Sequence, residues 1–373
     1  MHPPSSDPGP GAEPGTDPGA GHDAGRGAGA GPGADPGAET TPEPSLPPSR
    51  DRARQLRTAS GVRADDPDPR AVTVIGPGRV GTAVALALRD AGHRIVGVAG
   101  RGEASLAAFA ERFPEAAQGS PAQVCPLAGL VVVAVADDAL PEVVRAAARD
   151  DAVVPGSRWV HVSGAHGLDV LRPARLAGAR TAAVHPAQTF PDADAGREAL
   201  PGTAWAVTAD GDDLGWASVL VGDLRGTPVA VADDRRGLYH AGLTVGSNAT
   251  TGVVSLAREL LKGAGVDDPM PFLSPIALRS AEGGAQRGVA ALTGPVRRGD
   301  AGTVATHLEE LERDWPEAAG VYRALAQMLL TQSRRAGLDP ELAQAVQRVL
   351  DEQGLGDDKG EGGEGAAGAS ADE

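Results

Sequence analysis

A glycine-rich loop between a strand-like run and a helical pattern constrains the fold of this chain more than any other feature. Residues 71–75, Ala-Val-Thr-Val-Ile, form a short apolar run typical of a buried strand. The loop Gly76-Pro77-Gly78-Arg79-Val80-Gly81 follows directly, and apolar residues then recur at helical spacing as far as Leu88. A G-x-G-x-x-G sequence that ends a strand and opens a helix predicts a dinucleotide-binding loop. The alternative is a turn that binds nothing.

The glycines of the loop have separable tasks in that prediction. Gly76 permits a tight turn, Gly78 lets the backbone approach a pyrophosphate, and Gly81 lets the helix pack closely on the strand. The N-terminus of the helix offers free N–H groups and the positive end of its dipole to the phosphates. The predicted cofactor contacts are the six loop residues and one residue at the end of a later strand: Gly76, Pro77, Gly78, Arg79, Val80, Gly81 and Val135.

The end of the second predicted strand, residues 94–99, bears on which dinucleotide binds. An acidic residue there would hold the ribose 2′-hydroxyl of NAD, whereas an arginine suits the 2′-phosphate of NADP. The sequence has Gly100-Arg101-Gly102 at this point and no acid before Glu103. Arg101 is therefore predicted to clamp the phosphate, with Ser105 as a second donor, and the predicted cofactor is NADP. An ordinary exposed arginine is the alternative.

Strand and helix patterns alternate over residues 71–184, which predicts a parallel sheet with helices on both faces. A strand-like piece at 204–208 is expected to extend that sheet, and one long helix is predicted over 236–262. The expected fold class is α/β: a Rossmann-type domain at 66–200 is followed by a mostly α-helical domain at 201–350.

Both ends of the chain have the composition of disordered segments. Residues 1–50 contain 11 Gly and 12 Pro, and the last 23 residues are mainly Gly, Ala and acids. We predict disordered tails at 1–65 and 351–373. The net charge is −16, of which residues 1–50 carry −5 and residues 351–373 carry −7, leaving −4 for the centre. A nearly neutral centre without a basic run argues against nucleic-acid binding.

Cys125 is the one cysteine, so an internal disulfide is excluded and a reducing compartment is favoured. The longest apolar run, residues 127–136, is about half the ~20 residues that a membrane span needs. No signal peptide is visible at the N-terminus. We expect a soluble, cytoplasmic protein without membrane partners, and no metal site is predicted.

Histidines stand at the carboxyl ends of two predicted strands. His161 and Ser163 follow one strand, and His185 follows the next. Ligands of open α/β sheets bind outside the carboxyl ends of the strands, so Ser163 is predicted to bind substrate and His185 to take part in catalysis. For each histidine, a purely structural hydrogen bond is an equal alternative.

The predicted long helix carries His240, Thr244 and Asn248 at intervals of four residues, so that they share one face. A line of polar groups on an otherwise apolar helix indicates a lined cleft, although such residues are often solvent-facing. His240 is the candidate general acid, protonating a carbonyl oxygen as hydride arrives. Asn248 is expected to assist catalysis by holding the substrate through its amide, and Thr244 to contact it.

A further polar turn, residues 293–300, joins two predicted helices. Arg298 or Arg297 would make a bidentate contact with a substrate carboxylate. Asp300 is a candidate substrate contact, but capping of the helix that begins near Thr303 is the favoured role.

These segments together resemble the Rossmann-like proteins that carry a DUF2520 domain, within the superfamily of 6-phosphogluconate dehydrogenase and ketopantoate reductase. The resemblance covers about residues 70–350. Beside the glycine loop it rests on four motifs: Ser163-Gly164, His185-Pro186-Ala187-Gln188-Thr189-Phe190, Tyr239-His240 through Ser247-Asn248, and Leu292 through Asp300.

The resemblance implies an NADP-dependent reductase. In the wider superfamily a lysine, and an asparagine one turn later, serve catalysis on the first long helix of the second domain. Asn248 matches the asparagine, but Thr244 stands where the lysine would be, so His240 is the expected replacement acid.

We therefore predict hydride transfer from NADPH to a small 2-oxo acid. Ketopantoate, and with it pantothenate synthesis, is the leading candidate, and the resemblance makes a homodimer through the helical domain plausible. One alternative is an imine or other carbonyl reductase on the same scaffold. The other is an NADP-binding regulator without chemistry.

Overall fold

A computed structural model describes residues 67–352 of the 373-residue chain. The predicted tails at 1–65 and 351–373 lie outside the described residues, apart from Asp351 and Glu352, which end the last helix.

One sheet of eight strands forms the first part of the molecule, in the order β3-β2-β1-β4-β5-β6-β7-β8. Its strands are β1 (Ala71–Ile75), β2 (Arg94–Ala99), β3 (Ala117–Gln118), β4 (Leu130–Val133), β5 (Arg158–His161), β6 (Arg180–Pro186), β7 (Ala204–Ala209) and β8 (Thr227–Ala230). The predicted strand at 204–208 is confirmed as an extension of the sheet. It pairs antiparallel to β6, however, so the sheet is parallel only on either side of that pair.

The strand order creates a crevice at β1 and β4. The chain runs from β1 through β2 to β3 at one edge of the sheet, and then returns to place β4 on the other side of β1. Helices that follow two such strands leave in opposite directions, and this topological switch point is where open α/β sheets bind ligands. Gly76 follows β1 directly, so the glycine loop lies at the switch point.

The helices of this first part pack on both faces of the sheet, as predicted. They are α1 (Arg79–Asp90), α2 (Glu103–Arg112), α3 (Pro121–Val124), α4 (Leu140–Arg149), α5 (Arg172–Leu176), α6 (Ala193–Ala199) and α7 (Asp213–Asp223). Neighbouring residues of one strand belong to different cores: Val132 lies in the core beneath α1 and α7, and Val133 in the core beneath α4 and α5. Since successive strand residues point to opposite faces, the sheet is buried on both sides.

The second part of the molecule is helical. It comprises α8 (Arg236–Thr244), α9 (Thr250–Gly263), α10 (Met270–Arg287), α11 (Pro295–Arg298), α12 (Ala301–Asp314), α13 (Pro316–Arg335) and α14 (Pro340–Glu352). The predicted single helix at 236–262 is wrong in one respect, because a π-helical segment, Val245–Ala249, separates α8 from α9. The predicted turn at Gly337 is confirmed, since it lies between α13 and α14.

A third core holds α11 to α14 together, whereas α8, α9 and α10 contribute to none of the three cores of the described chain. Between residues 67 and 352, no helix combines the length and apolarity that a bilayer span requires.

Candidate active site

A cavity of about 720 Å³ opens at the carboxyl ends of β1, β2 and β4. Six of the predicted cofactor contacts line it: Gly76, Pro77, Gly78, Arg101, Ser105 and Val135. The remaining three, Arg79, Val80 and Gly81, do not line the cavity but form the first turn of α1.

The three glycines of the loop have different surroundings. Gly76 has a φ of +96°, and a Cβ there would lie 2.5 Å from the carbonyl oxygen of Ala134. A Cβ at Gly81 would lie 2.1 Å from the carbonyl oxygen of Gly76, so only glycine lets α1 approach β1 this closely. A Cβ at Gly78 would meet nothing within 4 Å, which leaves the backbone there open to a ligand. This geometry fits a dinucleotide, since the first and third glycines shape the loop and the second exposes it.

The N-terminus of α1 is free to receive an anion. Its N-cap is Gly78, which has no side chain that could cap the helix, and the first turn contains no acidic residue. The first N–H groups of a helix have no intrahelical partner, so those of Arg79 and Val80 remain available as donors.

Arg101 lies at the rim of the same cavity, just beyond the end of β2. Its side chain is exposed, and it forms no ion pair or hydrogen bond with other residues of the described chain. Ser105 lies in the first turn of α2 and lines the same cavity. These two side chains place a guanidinium and a hydroxyl in the lining of one cavity, and neither is hydrogen-bonded to another described residue. Together they are suited to bind a phosphate.

A second cavity, of about 360 Å³, lies at the end of β6, between that strand and the start of the helical part. It brings together four residues that the sequence singled out: His185, His240, Thr244 and Asn248. The π-helical segment supplies Asn248 and the neighbouring Ser247, whose hydroxyl lies 3.3 Å from the Asn248 side-chain oxygen. A local π-helical turn often occurs at functional sites, where it redirects side chains.

The rings of His185 and His240 meet edge to face, with centroids 5.8 Å apart. Gly164 lies against both rings: a Cβ at this position would be 2.5 Å from Cδ2 of His240 and 2.9 Å from Nε2 of His185. The Ser163-Gly164 step therefore needs its glycine so that the two histidines can approach each other. On the other side of the His185 ring, Nδ1 lies 2.9 Å from the hydroxyl of Tyr239.

A buried arginine stands behind this histidine pair. Arg236 opens α8, is fully buried, and donates to the carbonyl oxygen of Ser163 at 2.6 Å and to Oγ1 of Thr208 at 3.0 Å. Its Nε has no hydrogen-bond partner within the described residues. Burial, and after it the charges of Arg236 and His240, lowers the pKa of His185 to about 4. The ring is therefore neutral at physiological pH.

His161 and Ser163 shape the wall of the site but do not line the second cavity. Nε2 of His161 lies 3.0 Å from the carbonyl oxygen of Gly167, and Nδ1 accepts the N–H of Ser163 at 3.2 Å. Burial lowers the pKa of His161 to about 4, so this ring is a neutral structural link. The Ser163 hydroxyl accepts the N–H of His166, which leaves its predicted contact with substrate a prediction.

Arg298 is the last residue of α11, Asp300 lies in the turn before α12, and neither lines a cavity. Asp300 is the N-cap of α12 and accepts the N–H of Thr303 at 3.2 Å, which confirms the favoured capping role. The Arg298 side chain is 63% exposed and lies 3.7 Å from Asp300, so it is not committed to a buried structural contact.

Two family models match the chain: a Rossmann-like domain over residues 56–186, and a domain of unknown function, DUF2520, over residues 203–329. The chain therefore carries a Rossmann-like domain followed by a DUF2520 domain. The resemblance inferred from the sequence motifs is thereby confirmed. The boundary between the two matches falls close to β7, so the last two strands of the sheet belong to the DUF2520 match.

Solved structures share the fold of this chain. A candidate NADP oxidoreductase from Bacteroides fragilis is 24% identical over 71% of this chain and 98% of its own, with a TM-score of 0.60. A protein from Thermotoga maritima is 18% identical over 71% of this chain and 99% of its own, with a TM-score of 0.53. The chain matches no curated protein sequence.

Sequence reasoning gave no role to two residues of the site: Arg236, and Tyr239, which was named only as part of a resemblance motif. Their separation of three residues places them on one face of α8, beside His240. Tyrosine is rare here, with two in the chain, so Tyr239 was a detectable signal. The burial of Arg236 could not be detected from the sequence, because an arginine at a helix start is usually exposed.

Proposed function

We propose that this protein is an NADPH-dependent oxidoreductase that reduces the carbonyl of a small 2-oxo acid. The observation that carries the proposal is the alignment of two cavities along the carboxyl edge of one sheet. The crevice at β1, β2 and β4 offers loop N–H groups and the uncommitted Arg101, and the cavity at β6 holds His185 and His240. Ligands of open α/β sheets bind along this edge.

The two parts of the site divide the chemistry. NADPH, when bound, would supply the hydride. Within the chain, Gly78 and the first turn of α1 hold the pyrophosphate, and Arg101 with Ser105 holds the 2′-phosphate. His240 donates a proton to the carbonyl oxygen, since an imidazole is suited to acid catalysis near neutral pH. Asn248 and Thr244 orient the substrate from the same cavity.

The substrate proposal rests on the size and charge of the second cavity. At about 360 Å³ it suits a small molecule, and the buried charge of Arg236 makes its surroundings favourable for an anion. Ketopantoate is the 2-oxo acid to test first, because of the family resemblance. Arg298, proposed to bind the carboxylate, lies outside both cavities and serves this role only if a second copy of the chain delivers it.

We propose in addition that the protein is a homodimer through α8, α9 and α10. Among these helices α9 has no buried residue, and α10 buries only Leu273 and Gly283. Large apolar side chains are exposed along these helices and the π-helical segment between α8 and α9: Leu238, Val245, Val253, Met270, Phe272, Ile276 and Leu278. Helices with apolar faces are stable when those faces are covered, and a second copy of the same surface is the simplest cover.

Turnover tests the proposed function. Full-length protein is mixed with NADPH and ketopantoate, other 2-oxo acids, or cyclic imines, and loss of the reduced nicotinamide absorbance is followed. We expect oxidation of NADPH with at least one 2-oxo acid. The His240→Ala variant should lose roughly 100-fold or more in kcat and keep its NADPH affinity. His307→Ala, a histidine of α12 outside both cavities, is the matched control and should keep full activity.

Three results would each contradict a part of the proposal. Absence of turnover across the whole panel, with NADPH bound, would favour an NADP-binding regulator. Turnover of imines but of no oxo acid would contradict the proposed substrate class and would leave the proposed reductase activity standing. An unchanged kcat in His240→Ala would remove that residue from the mechanism.

A further inference from the structure

The two tyrosines of the chain make the same contact with a histidine. The hydroxyl of Tyr239 lies 2.9 Å from Nδ1 of His185, and the hydroxyl of Tyr322 lies 2.9 Å from Nδ1 of His307. Both pairs are edge to face, with ring centroids 5.7 Å and 5.6 Å apart. The first pair borders the second cavity, and the other lies between α12 and α13.

We propose that Tyr239 is a positioning residue: it donates its hydroxyl proton to Nδ1 of His185 and so fixes the ring as the tautomer with its hydrogen on Nε2. His185 then presents an N–H, rather than a lone pair, to the cavity that His240 and Asn248 line. A substrate oxygen held there would accept this hydrogen bond. The inference extends the proposed reduction and rests on it for its role in catalysis.

Hydrogen-bond accounting supports this tautomer. A neutral imidazole has one donor and one acceptor nitrogen, and a tyrosine hydroxyl has one proton to donate. Among the described residues, Nδ1 of His185 is the one acceptor within reach of the Tyr239 hydroxyl. Donation from Tyr239 to Nδ1 uses that proton. The opposite arrangement, with Nδ1–H donating to the tyrosine oxygen, would leave the half-buried hydroxyl proton without an acceptor in the chain.

In this tautomer, Nε2 of His185 can donate its hydrogen to a ligand, because of where this atom lies. Nε2 lies over Gly164, where no Cβ intervenes, and makes no hydrogen bond to other described residues. It is therefore free for a ligand. A neutral imidazole N–H beside a carbonyl oxygen can polarise the carbonyl without giving up its proton, a role known for histidines whose charged form is suppressed.

Arg236 maintains the neutral form of the ring. It is fully buried, and its guanidinium is held by Ser163 and Thr208 rather than by a carboxylate. A second positive charge on His185 would face this fixed cation and His240, and both lower the pKa of His185, after burial. The two histidines thus have separate roles: His185 donates a hydrogen bond, and His240 donates a proton.

Nitrogen NMR of the full-length protein tests the tautomer without any substrate. Two-bond correlations between ring protons and ¹⁵N nuclei distinguish a protonated from an unprotonated nitrogen, and the missing signals of a His185→Gln variant assign His185. In the wild type we expect Nδ1 of His185 to be unprotonated and Nε2 to be protonated. In Tyr239→Phe, a fraction of the molecules should carry the proton on Nδ1.

Tyr322→Phe is the matched control, because it removes the same hydroxyl from the equivalent pair outside both cavities. It should change the signals of His307 and leave those of His185 unaltered. A protonated Nδ1 in the wild type, or unchanged His185 signals in Tyr239→Phe, overturns the proposal. Thermal unfolding of both variants, compared with the wild type, shows that each remains folded.

Once a substrate is in hand, kinetics give the second readout. Tyr239→Phe should lower kcat by up to about tenfold, the factor that one hydrogen bond can contribute, and leave the KM for NADPH unchanged. A tautomer that shifts while kcat stays constant overturns the catalytic role of His185. Absence of any substrate leaves the NMR result standing, so the two proposals fail separately.

Discussion

At the scale of single residues, burial decides the chemistry of His161 and His185. Both rings have a pKa of about 4, lowered chiefly by burial from the ordinary value near 6.5. His161 uses both ring nitrogens for contacts within the chain, whereas His185 uses one and keeps the other for the cavity. The same residue type at the ends of adjacent strands therefore serves structure in one case and the proposed chemistry in the other.

Stability should depend on pH because of these two rings. Between pH 6.5 and 4 the unfolded chain binds protons that the folded chain does not, so the free energy of unfolding falls as the pH is lowered through this window. The expected loss is up to about 3 kcal/mol for each histidine. Urea titrations at pH 7, 6, 5 and 4.5 measure it. In His161→Gln the loss should be smaller, and an equal loss would show that His161 is not held neutral.

The sequence placed these histidines at strand ends but left their roles open. Those roles depend on which atoms lie opposite each ring, namely Gly167 for His161 and Tyr239 for His185, and such contacts arise only once the chain has folded. The group His240, Thr244 and Asn248 was predictable because helical spacing alone aligns these residues. The burial of Arg236 was not predictable, since this residue is buried only because β7 lies against the start of α8.

At the scale of the elements, the turn from β1 into α1 separates structural from binding requirements. Gly81 faces the backbone of Gly76, and Gly78 faces open space on the cavity side. Alanine at position 81 should therefore lower the stability of the fold, whereas alanine at position 78 should weaken the binding of the ligand.

Gly81→Ala is expected to lower the free energy of unfolding by about 1–3 kcal/mol, because its Cβ overlaps a backbone oxygen. Gly78→Ala should change stability by less than about 1 kcal/mol. It should nevertheless weaken the binding of NADPH by roughly tenfold or more, since a methyl group there keeps the pyrophosphate away from its N–H donors. Denaturant unfolding and calorimetric titration of both variants measure the two effects. Equal losses of stability would contradict this division.

Most elements followed from periodicity, and those that did not have identifiable reasons. β8 was missed because its four residues are all exposed and include Pro228, so neither alternation nor an apolar run marks it. The antiparallel direction of β7 has no local signal, because it depends on the path of α6 across the sheet. The π-helical segment Val245–Ala249 has the apolar spacing of an ordinary helix, which hides it.

At the scale of the whole molecule, the exposed helices α8 to α10 predict a dimer. Equilibrium sedimentation of the full-length protein should give twice the chain mass. Phe272→Glu combined with Leu278→Glu, at side chains 61% and 68% exposed, should shift the equilibrium to monomer by placing charges in the interface.

Leu176→Glu is the matched control, because Leu176 is 78% exposed but lies on α5, against the sheet. It should leave the dimer intact. A wild-type monomer, or a dimer that tolerates both charges on α10, would contradict the proposed interface.

Titration calorimetry of the full-length protein with NADPH and with NADH tests the central claim, that the crevice at β1 and β4 holds NADPH. We expect NADPH to bind at least about tenfold more tightly than NADH, the factor that charge-assisted hydrogen bonds to one phosphate contribute. Arg101→Ala should remove that preference, and Arg94→Ala, at the opposite end of β2, should keep it. Equal affinity for the two cofactors in the wild type, or no binding of either, would contradict the account.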